Sequence, residues 1–554
     1  MSKNLSKLSS RLGLKDNLFR RQAKLDSPAS KRQLAKDALI GEATIESSTS
    51  FYDFMEGDNA GKRAYVCNGS VCLCQGNQDK VKAELEAKLG SAEVGHMTCL
   101  GHCHEGSAFQ LDGENFSGDD IERLSELLDG SSTTVELPEA VTIGTPVLTG
   151  KCESLTDWYA PLVQAIKTND SERLLNEMLA AKVRGRGGAG FPAGLKWQAC
   201  RNQSSKTKYI VCNADEGDPG AFTDRYLLEE QPHAVIFGMI AAAFIAGAAE
   251  GVLYIRDEYP LSIKRCEQAI AELEAANLLG DKIAGSDFNF KLHIIRGAGA
   301  YICGEETALL RSIEGQRPIV SVRPPFPVVS GLFGEPTILN NVETFACVHY
   351  ILTEGGETFA ALGTETSAGV KLLSLDASFN KPGVYEVPMG TPLSEVIELA
   401  GGTRIPLKAL HIGGPLGGLV PMHKVDELSI DFDSFAKAGF LLGHASIIGI
   451  PETMPMLDYI GHLFEFTAAE SCGKCFPCRL GATRGHELVE GAKAGERIDM
   501  ELMLDLLETM EQGSLCALGG GVPLPIKNAL TYFAEELKPA FQESTSIKFK
   551  EVTA

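Results

Sequence analysis

The stretch Arg-Gly-Arg-Gly-Gly-Ala-Gly-Phe-Pro-Ala-Gly-Leu-Lys-Trp, from Arg184 to Trp197, constrains this chain more than any other. Gly185, Gly187, Gly188 and Gly190 bare the backbone, so its N–H groups can close on a phosphate while Arg186 and Lys196 supply charge. It reads as an anion-binding loop, with a flexible turn as the plainer alternative. Gly185-x-Gly187-x-x-Gly190 also spells the dinucleotide fingerprint, with Asp215 roughly where a ribose-binding acid would stand. A Rossmann loop follows a strand directly, whereas Leu174, Leu175, Met178 and Leu179 fall at helical spacing across 171–183. The glycines follow a helix, so an ordinary Rossmann site is not expected.

Downstream, Lys208 to Asn213 is a continuous extended run of the kind a buried strand gives, ending in Asn213-Ala-Asp215-Glu216. Polar groups at a strand end are placed to hydrogen-bond a ligand. Gly297-Ala-Gly-Ala-Tyr-Ile-Cys-Gly304-Glu305-Glu306-Thr307 combines small residues, which let backbone approach closely, with two adjacent carboxylates.

The fifteen cysteines fall largely into local groups that suit metal better than a disulfide framework. Cys472, Cys475 and Cys478 stand at x2 spacing, and Cys516 can complete a set of four. Helices over 480–494 and 500–512 would close a small bundle over them. Residues 63–130 read as a small α/β unit with its cysteines in loops: Cys67-x4-Cys72 and Cys99-x3-Cys103, with Cys74 a rival to Cys72. Four thiolates there suit an iron–sulfur cluster, with zinc or ordinary buried cysteines as alternatives. His102 and His104 beside them are expected at the surface.

The motifs Gly185 to Trp197, Cys212-Asn-Ala-Asp-Glu216, Gly299 to Thr307 and Glu470-Ser-Cys-Gly-Lys-Cys-Phe-Pro-Cys-Arg479 resemble the NADH- and FMN-binding flavoprotein subunits of respiratory complex I, of NAD-linked hydrogenases and of NAD-dependent formate dehydrogenases. The resemblance covers about residues 145–535. It implies a multidomain α/β chain with a non-Rossmann FMN/NADH-binding domain (151–360), a β-grasp soluble-ligand-binding module (361–440) and a C-terminal helical [4Fe–4S] domain (441–554); residues 61–130 resemble the thioredoxin-like [2Fe–2S] domain that accompanies such subunits, while charge and composition mark a basic arm (1–60) and a Ser/Thr-rich linker (131–150). It places Gly304, Glu305 and Glu306 at the dinucleotide site, where adjacent carboxylates favour NADH over a 2′-phosphorylated cofactor. It also gives Phe191 and Phe326 as faces for the adenine, Asn340, Asn341 and Thr344 as FMN contacts, and position 218, here Asp218, as a nicotinamide contact. Strands at 370–375 and 383–388 and a helix over 392–400 are assigned a structural role, and Gly413-Gly-Pro-Leu-Gly-Gly418 a turn.

The implied activity is a diaphorase: hydride passes between NAD(H) and FMN, and electrons leave singly through the clusters of a larger complex. Protein side chains orient and balance charge, with no acid or base among them. Segments 439–445 and 464–472 look most like formate dehydrogenase, which is the first expectation. A hydrogenase or respiratory diaphorase is the alternative, and a cofactor-free scaffold the reading from another class. Iron–sulfur and molybdenum or nickel subunits are the expected partners.

Length and charge agree with this. The 554 residues suffice for three or four domains, and a net charge of −22 disfavours nucleic acid and anionic membranes. The apolar run Ala234–Ala249 is short for a span and reads as a buried helix. Residues 1–36 carry ten Lys or Arg against two Asp, expected to form an arm that docks on a partner, with a disordered tail equally open. A cytoplasmic location is expected.

Overall fold

The computed structural model describes residues 21, 27–55, 57–130, 137 and 140–542. Much of the expected basic arm (1–20 and 22–26) and of the expected linker (131–136, 138 and 139) lies outside the described residues. The described part of the arm forms helices Pro28–Asp37 and Glu42–Thr49, and the second helix, with the segment that follows it, packs on this chain. Buried Tyr52 shares a 2.8 Å hydrogen bond with Ser312, Ser48 Oγ donates to the Gly315 carbonyl, and Arg317 lies 4.7 Å over the Phe51 ring.

The first sheet takes β1 (Ala64–Cys67), β2 (Val94–Met97), β3 (Phe109–Leu111) and β4 (Glu114–Phe116) in the order β2-β1-β3-β4. β1 is parallel to β2 and antiparallel to β3. Helix Gln78–Leu89 lays Val81 and Leu85 on Val66, Phe109 and Leu111, the face its periodicity implied. The cysteines are not all in loops: Cys67 ends β1, and Cys72 and Cys74 ride on the short helix Ser70–Gln75.

Inside the expected linker, β5 (Val141–Thr142) is a strand. Just beyond it, the N–H groups of Val147, Leu148 and Thr149 all donate to the buried Glu386 carboxylate, so this stretch is anchored. The second sheet is wholly parallel: β6 (Tyr209–Ala214), β7 (Glu250–Ile255), β8 (Lys291–Arg296) and β9 (Thr337–Asn341), in the order β8-β7-β6-β9. The chain builds β7 and β8 on one side of β6 and returns to place β9 on the other. That reversal leaves a crevice at the carboxyl ends of β6 and β9, where open α/β sheets bind ligands. Register pairs Cys212 with Asn340 and Asn213 with Asn341 there. The apolar run becomes helix Pro232–Ala246, buried in the main core with helix Val342–Glu354. No helix among the described residues is long and apolar enough to cross a membrane.

The third sheet adds β10 (Val370–Leu375), β11 (Gly383–Pro388), β12 (Leu407–Ile412), β13 (Gly418–Pro421) and β14 (Ser446–Pro451), in the order β13-β12-β14-β10-β11-β5. β14, expected in the helical domain, lies in the middle of this sheet. It is buried along its whole length, so it shows no alternation that would have marked it as a strand. Lys371 on β10 is completely buried and bonds the equally buried Glu343 carboxylate of helix Val342–Glu354, tying this sheet to the preceding domain. Beyond β14 come helices Met456–Ala469, Phe476–Lys493, Met500–Gly513 and Pro523–Tyr532, packed through Val489, Met503, Leu507, Met510 and Ile526.

Candidate functional site

A cavity of about 730 Å³ opens where the carboxyl ends of β6 and β9 meet the glycine loop. This is ample for a flavin and part of a dinucleotide. The loop runs between helices Ser171–Ala180 and Ala193–Arg201, confirming that it follows a helix. Gly188 has φ +100°, which a side-chain-bearing residue rarely adopts, and a Cβ on Gly187 would meet Asn341 at 3.0 Å. The bare backbone therefore forms one wall.

Gly185, Gly187, Gly188, Phe191, Lys196, Asn213, Asp215, Glu216, Asp218, Gly304, Glu305, Glu306, Phe326, Asn340, Asn341 and Thr344 all line this cavity. Phe191 and Phe326 are half exposed, as faces waiting for a planar ring would be. Asn213 Nδ2 donates to the Gly304 carbonyl at 2.8 Å, and Asn340 Oδ1 accepts from Trp197 Nε1 at 2.9 Å. Asp218 accepts from the Tyr301 hydroxyl at 2.6 Å, while the Tyr301 N–H donates to Glu470. Three buried carboxylate oxygens of the wall, Asp215 Oδ2, Asp224 Oδ1 and Glu305 Oε1, have no hydrogen-bond partner among the described residues. Ligand hydroxyls would suit these acceptors chemically, since an unpaired buried acceptor costs about 1–3 kcal/mol. Burial, more than any neighbouring charge, raises the Asp215 carboxyl well above the usual range.

Two expectations about charge need correction. Arg186 does not face the cavity: its side chain is fully buried, and Nη2 donates to the Ala368 carbonyl at 2.6 Å. A guanidinium's reach lets it turn inward and brace the domain junction, which glycine spacing cannot disclose. The carboxylate pair is not bare either: Glu306 is bonded by Arg323 at 2.7 Å, with Lys196 4.0 Å away. Lys196 also donates to the Leu339 carbonyl.

The third sheet is not merely structural. Gly413 and Leu416 of the expected turn, and Leu441, Gly443 and His444 before β14, complete the cavity wall. His444 lies 3.5 Å from Glu216 and 3.6 Å from Asp224, all three buried. Sequence reading missed His444, Asp224 and Leu416, because nothing local joins positions two hundred residues apart.

Cys516, Ala517 and Leu518 form the cavity's far side. Cys516 gathers with Cys472, Cys475 and Cys478 in a small cluster that also includes Phe466 and Leu518. Among the described residues, the groups whose ligand atoms all lie within 4.8 Å of one another contain no cysteine. Four thiolates gathered at one place suit an iron–sulfur cluster, whose protein ligands cap separate irons.

In the N-terminal domain, Cys67, Cys72, Cys99 and Cys103 are buried free thiols, Cys67 hydrogen-bonded to Cys72 and Cys99 to Cys103. Cys99 and Cys103 sulfurs are 3.5 Å apart, and a hydrogen bond from Cys72 brings the Cys67 thiol down to about 6. Cys74 instead packs against the main core, where burial, helped by the Asp376 charge, raises its thiol well above the ordinary value. His102 and His104 are not at the surface: both are buried, and burial pushes His104 down to about 3. The loop carrying Cys99 is held by Arg225, which donates to the Gly101 carbonyl, and by Arg256, which bonds the Thr98 carbonyl and the Glu216 carbonyl beside the cavity.

Comparison with known proteins follows this division. The Nuo51 FMN-binding domain matches residues 178–350, the SLBB domain 380–419, and the NADH-ubiquinone oxidoreductase-F iron–sulfur binding region 458–540. The chain is 42% identical over 390 residues to an NADH-quinone oxidoreductase subunit of Rhizobium meliloti, covering 70% of this chain and 92% of that protein. It is 34% identical over 539 residues to the NAD-reducing hydrogenase HoxS subunit alpha of Cupriavidus necator, covering 91% and 87%. A chain from an NAD+-reducing [NiFe]-hydrogenase in the H2-reduced state superposes with a TM-score of 0.84 at 29% identity, over 96% of this chain and 94% of that one.

Proposed function

This chain belongs to the family of NADH-oxidising subunits that join a Nuo51 FMN-binding domain to an iron–sulfur region, and we propose that it is the diaphorase subunit of a hydrogenase-type complex. It is an oxidoreductase of the NADH dehydrogenase kind. The observation that carries the electron-transfer reading is one cavity bounded on one side by the glycine loop and strand-end carboxylates and on the other by Cys516. A two-electron carrier and a one-electron carrier would share that wall.

The backbone at Gly185, Gly187 and Gly188, with Asn213, Asn340, Asn341 and Thr344, would hold FMN. Glu305, Glu306, Asp218, Phe191 and Phe326 would receive NADH, with Lys196 balancing phosphate charge. When bound, FMN supplies a centre that takes hydride from NADH and yields electrons singly. This chain's residues orient both ligands and exclude water. Phe191→Ala is expected to raise the KM for NADH about three- to tenfold with kcat little changed, the size of one lost stacking contact, in steady-state kinetics.

The quinone oxidoreductase relative matches 70% of the chain, whereas the hydrogenase relative matches 91% and so includes the cysteine-bearing N-terminal domain. This favours a nickel-dependent hydrogenase partner over the molybdenum enzyme. The formate dehydrogenase preference finds no support in these likenesses. We further assign the first domain as thioredoxin-like with a [2Fe–2S] cluster, each iron taking one cysteine pair, the third sheet as a β-grasp module, and the whole as a cytoplasmic assembly. Low-temperature EPR on anaerobic protein tests the scheme. NADH should bleach the flavin, and dithionite should reveal separate [4Fe–4S] and [2Fe–2S] signals. The second signal should vanish in Cys72→Ala and persist in Cys74→Ala; a single cluster type in the wild-type protein would rule out the N-terminal assignment.

A further inference from the structure

We propose that His444, held between Glu216 and Asp224 in the cavity wall, is a cofactor-binding cation that makes retention of FMN depend on pH. The inference rests on the cavity being the FMN site. Glu216, Asp224 and His444 bring their ligand atoms within 4.8 Å of one another, and all three line the cavity. Gly443, next to His444, packs against Gly188 of the glycine loop, and Asn341 donates to Asp224 at 2.5 Å.

A metal ion is the rival occupant, and the hydrogen bonding argues against it. Glu216 is already engaged: it accepts from the N–H groups of Asp224 and Arg225, capping helix Thr223–Glu230, and from the Tyr259 hydroxyl. Among the described residues the buried His444 ring nitrogens have no partner within hydrogen-bond limits, and Nε2 stands 3.5 Å from a Glu216 oxygen and 3.6 Å from an Asp224 oxygen, close enough for both carboxylates to act on the imidazole. Burial by itself would lower the histidine. Asp224 and Glu216 outweigh it and push His444 up to about 9, with Lys371 opposing them from across the domain junction. Lys371 is itself paired with Glu343. Asp218, also near, is raised by its own burial and lowered by His444. Burial and the Asp224 charge bring Glu216 up to about 7, so the range above pH 8 isolates the histidine.

Protonated His444 offsets the carboxylates facing an anionic cofactor; once it loses its proton, the wall gains one negative charge. The FMN phosphate, with a second pKa near 6, stays dianionic throughout that range. FMN affinity should therefore be level from about pH 7.5 to 8 and fall through pH 9, by about tenfold at the alkaline limit, the effect of a one-unit coupling. Because binding then stabilises the protonated form, FMN should draw a proton from buffer at pH 9 and none at pH 7.5.

The test is FMN titration of the apo-flavin full chain from pH 7 to 10, by fluorescence quenching and by calorimetry in buffers of different ionisation heat. The wild-type chain should show the affinity loss and the proton uptake, and His444→Asn should show neither. A pH-independent affinity, no proton uptake at pH 9 in the wild-type chain, or equal uptake in the variant would overturn the role of His444. The wild-type calorimetry decides the matter even if the variant does not fold. Failure to bind FMN at any pH would instead overturn the cofactor reading.

Discussion

Cys475→Ala is expected to remove the C-terminal cluster while NADH still bleaches the flavin, so that electron delivery beyond the flavin drops to background. Cys475 caps helix Phe476–Lys493 and is half-buried, whereas Cys472 and Cys478 sit deeper in the same small apolar cluster. Its sulfur does not hold the bundle together: the helices pack through Val489, Met503, Leu507 and Met510. The variant should therefore keep its helical circular dichroism and lose iron and the [4Fe–4S] EPR signal. The flavin cavity loses only the support of the cluster behind Cys516, so stopped-flow reduction by NADH should survive. Joint loss of flavin reduction and iron would show that the two halves cannot be separated, against the reading of one wall shared by independent sites.

The largest stability effect is expected from Glu343→Ala. Glu343 accepts from the Leu372 N–H at 3.1 Å as well as from Lys371, whose ammonium also donates to the Leu372 carbonyl, and neither charged side chain reaches solvent. Removing one partner strands a buried ammonium, a change that costs about 3–5 kcal/mol in comparable pairs. Thermal and urea unfolding should show a large loss in midpoint. Glu343→Leu combined with Lys371→Met should recover most of it, because two apolar groups leave no charge to solvate. Equal destabilisation in the single and double variants would mean that shape, rather than charge, joins the two domains.

Individual positions show what could be read before folding. The glycine loop after a helix, the extended run into Asn213, the buried helix at 232–246 and the Cys472/Cys475/Cys478 spacing each carry their signal within a few residues. Backbone freedom, periodicity and ligand spacing are local properties. Arg186 was legible as a charge near the site but not in its direction, since a long side chain can turn either way and only the packing around Ala368 decides. β14 escaped notice because complete burial erases alternation. His102 and His104 looked like surface histidines because polar type was the only guide, and burial is a property of the assembled domains.

By itself, then, the sequence determined the chemistry available: a bare backbone for an anion, carboxylates at a strand end, and thiolates in sets of four. The tertiary structure decided which of these share a space. The order in which strands are added to the parallel sheet reverses between β6 and β9, and that reversal opens the crevice. The third sheet and the helical bundle then close over it, bringing Leu416, His444 and Cys516 to residues far away in the chain. Such convergence arises from topology and core packing, whose determinants are spread over hundreds of residues and leave no local mark at the positions they unite.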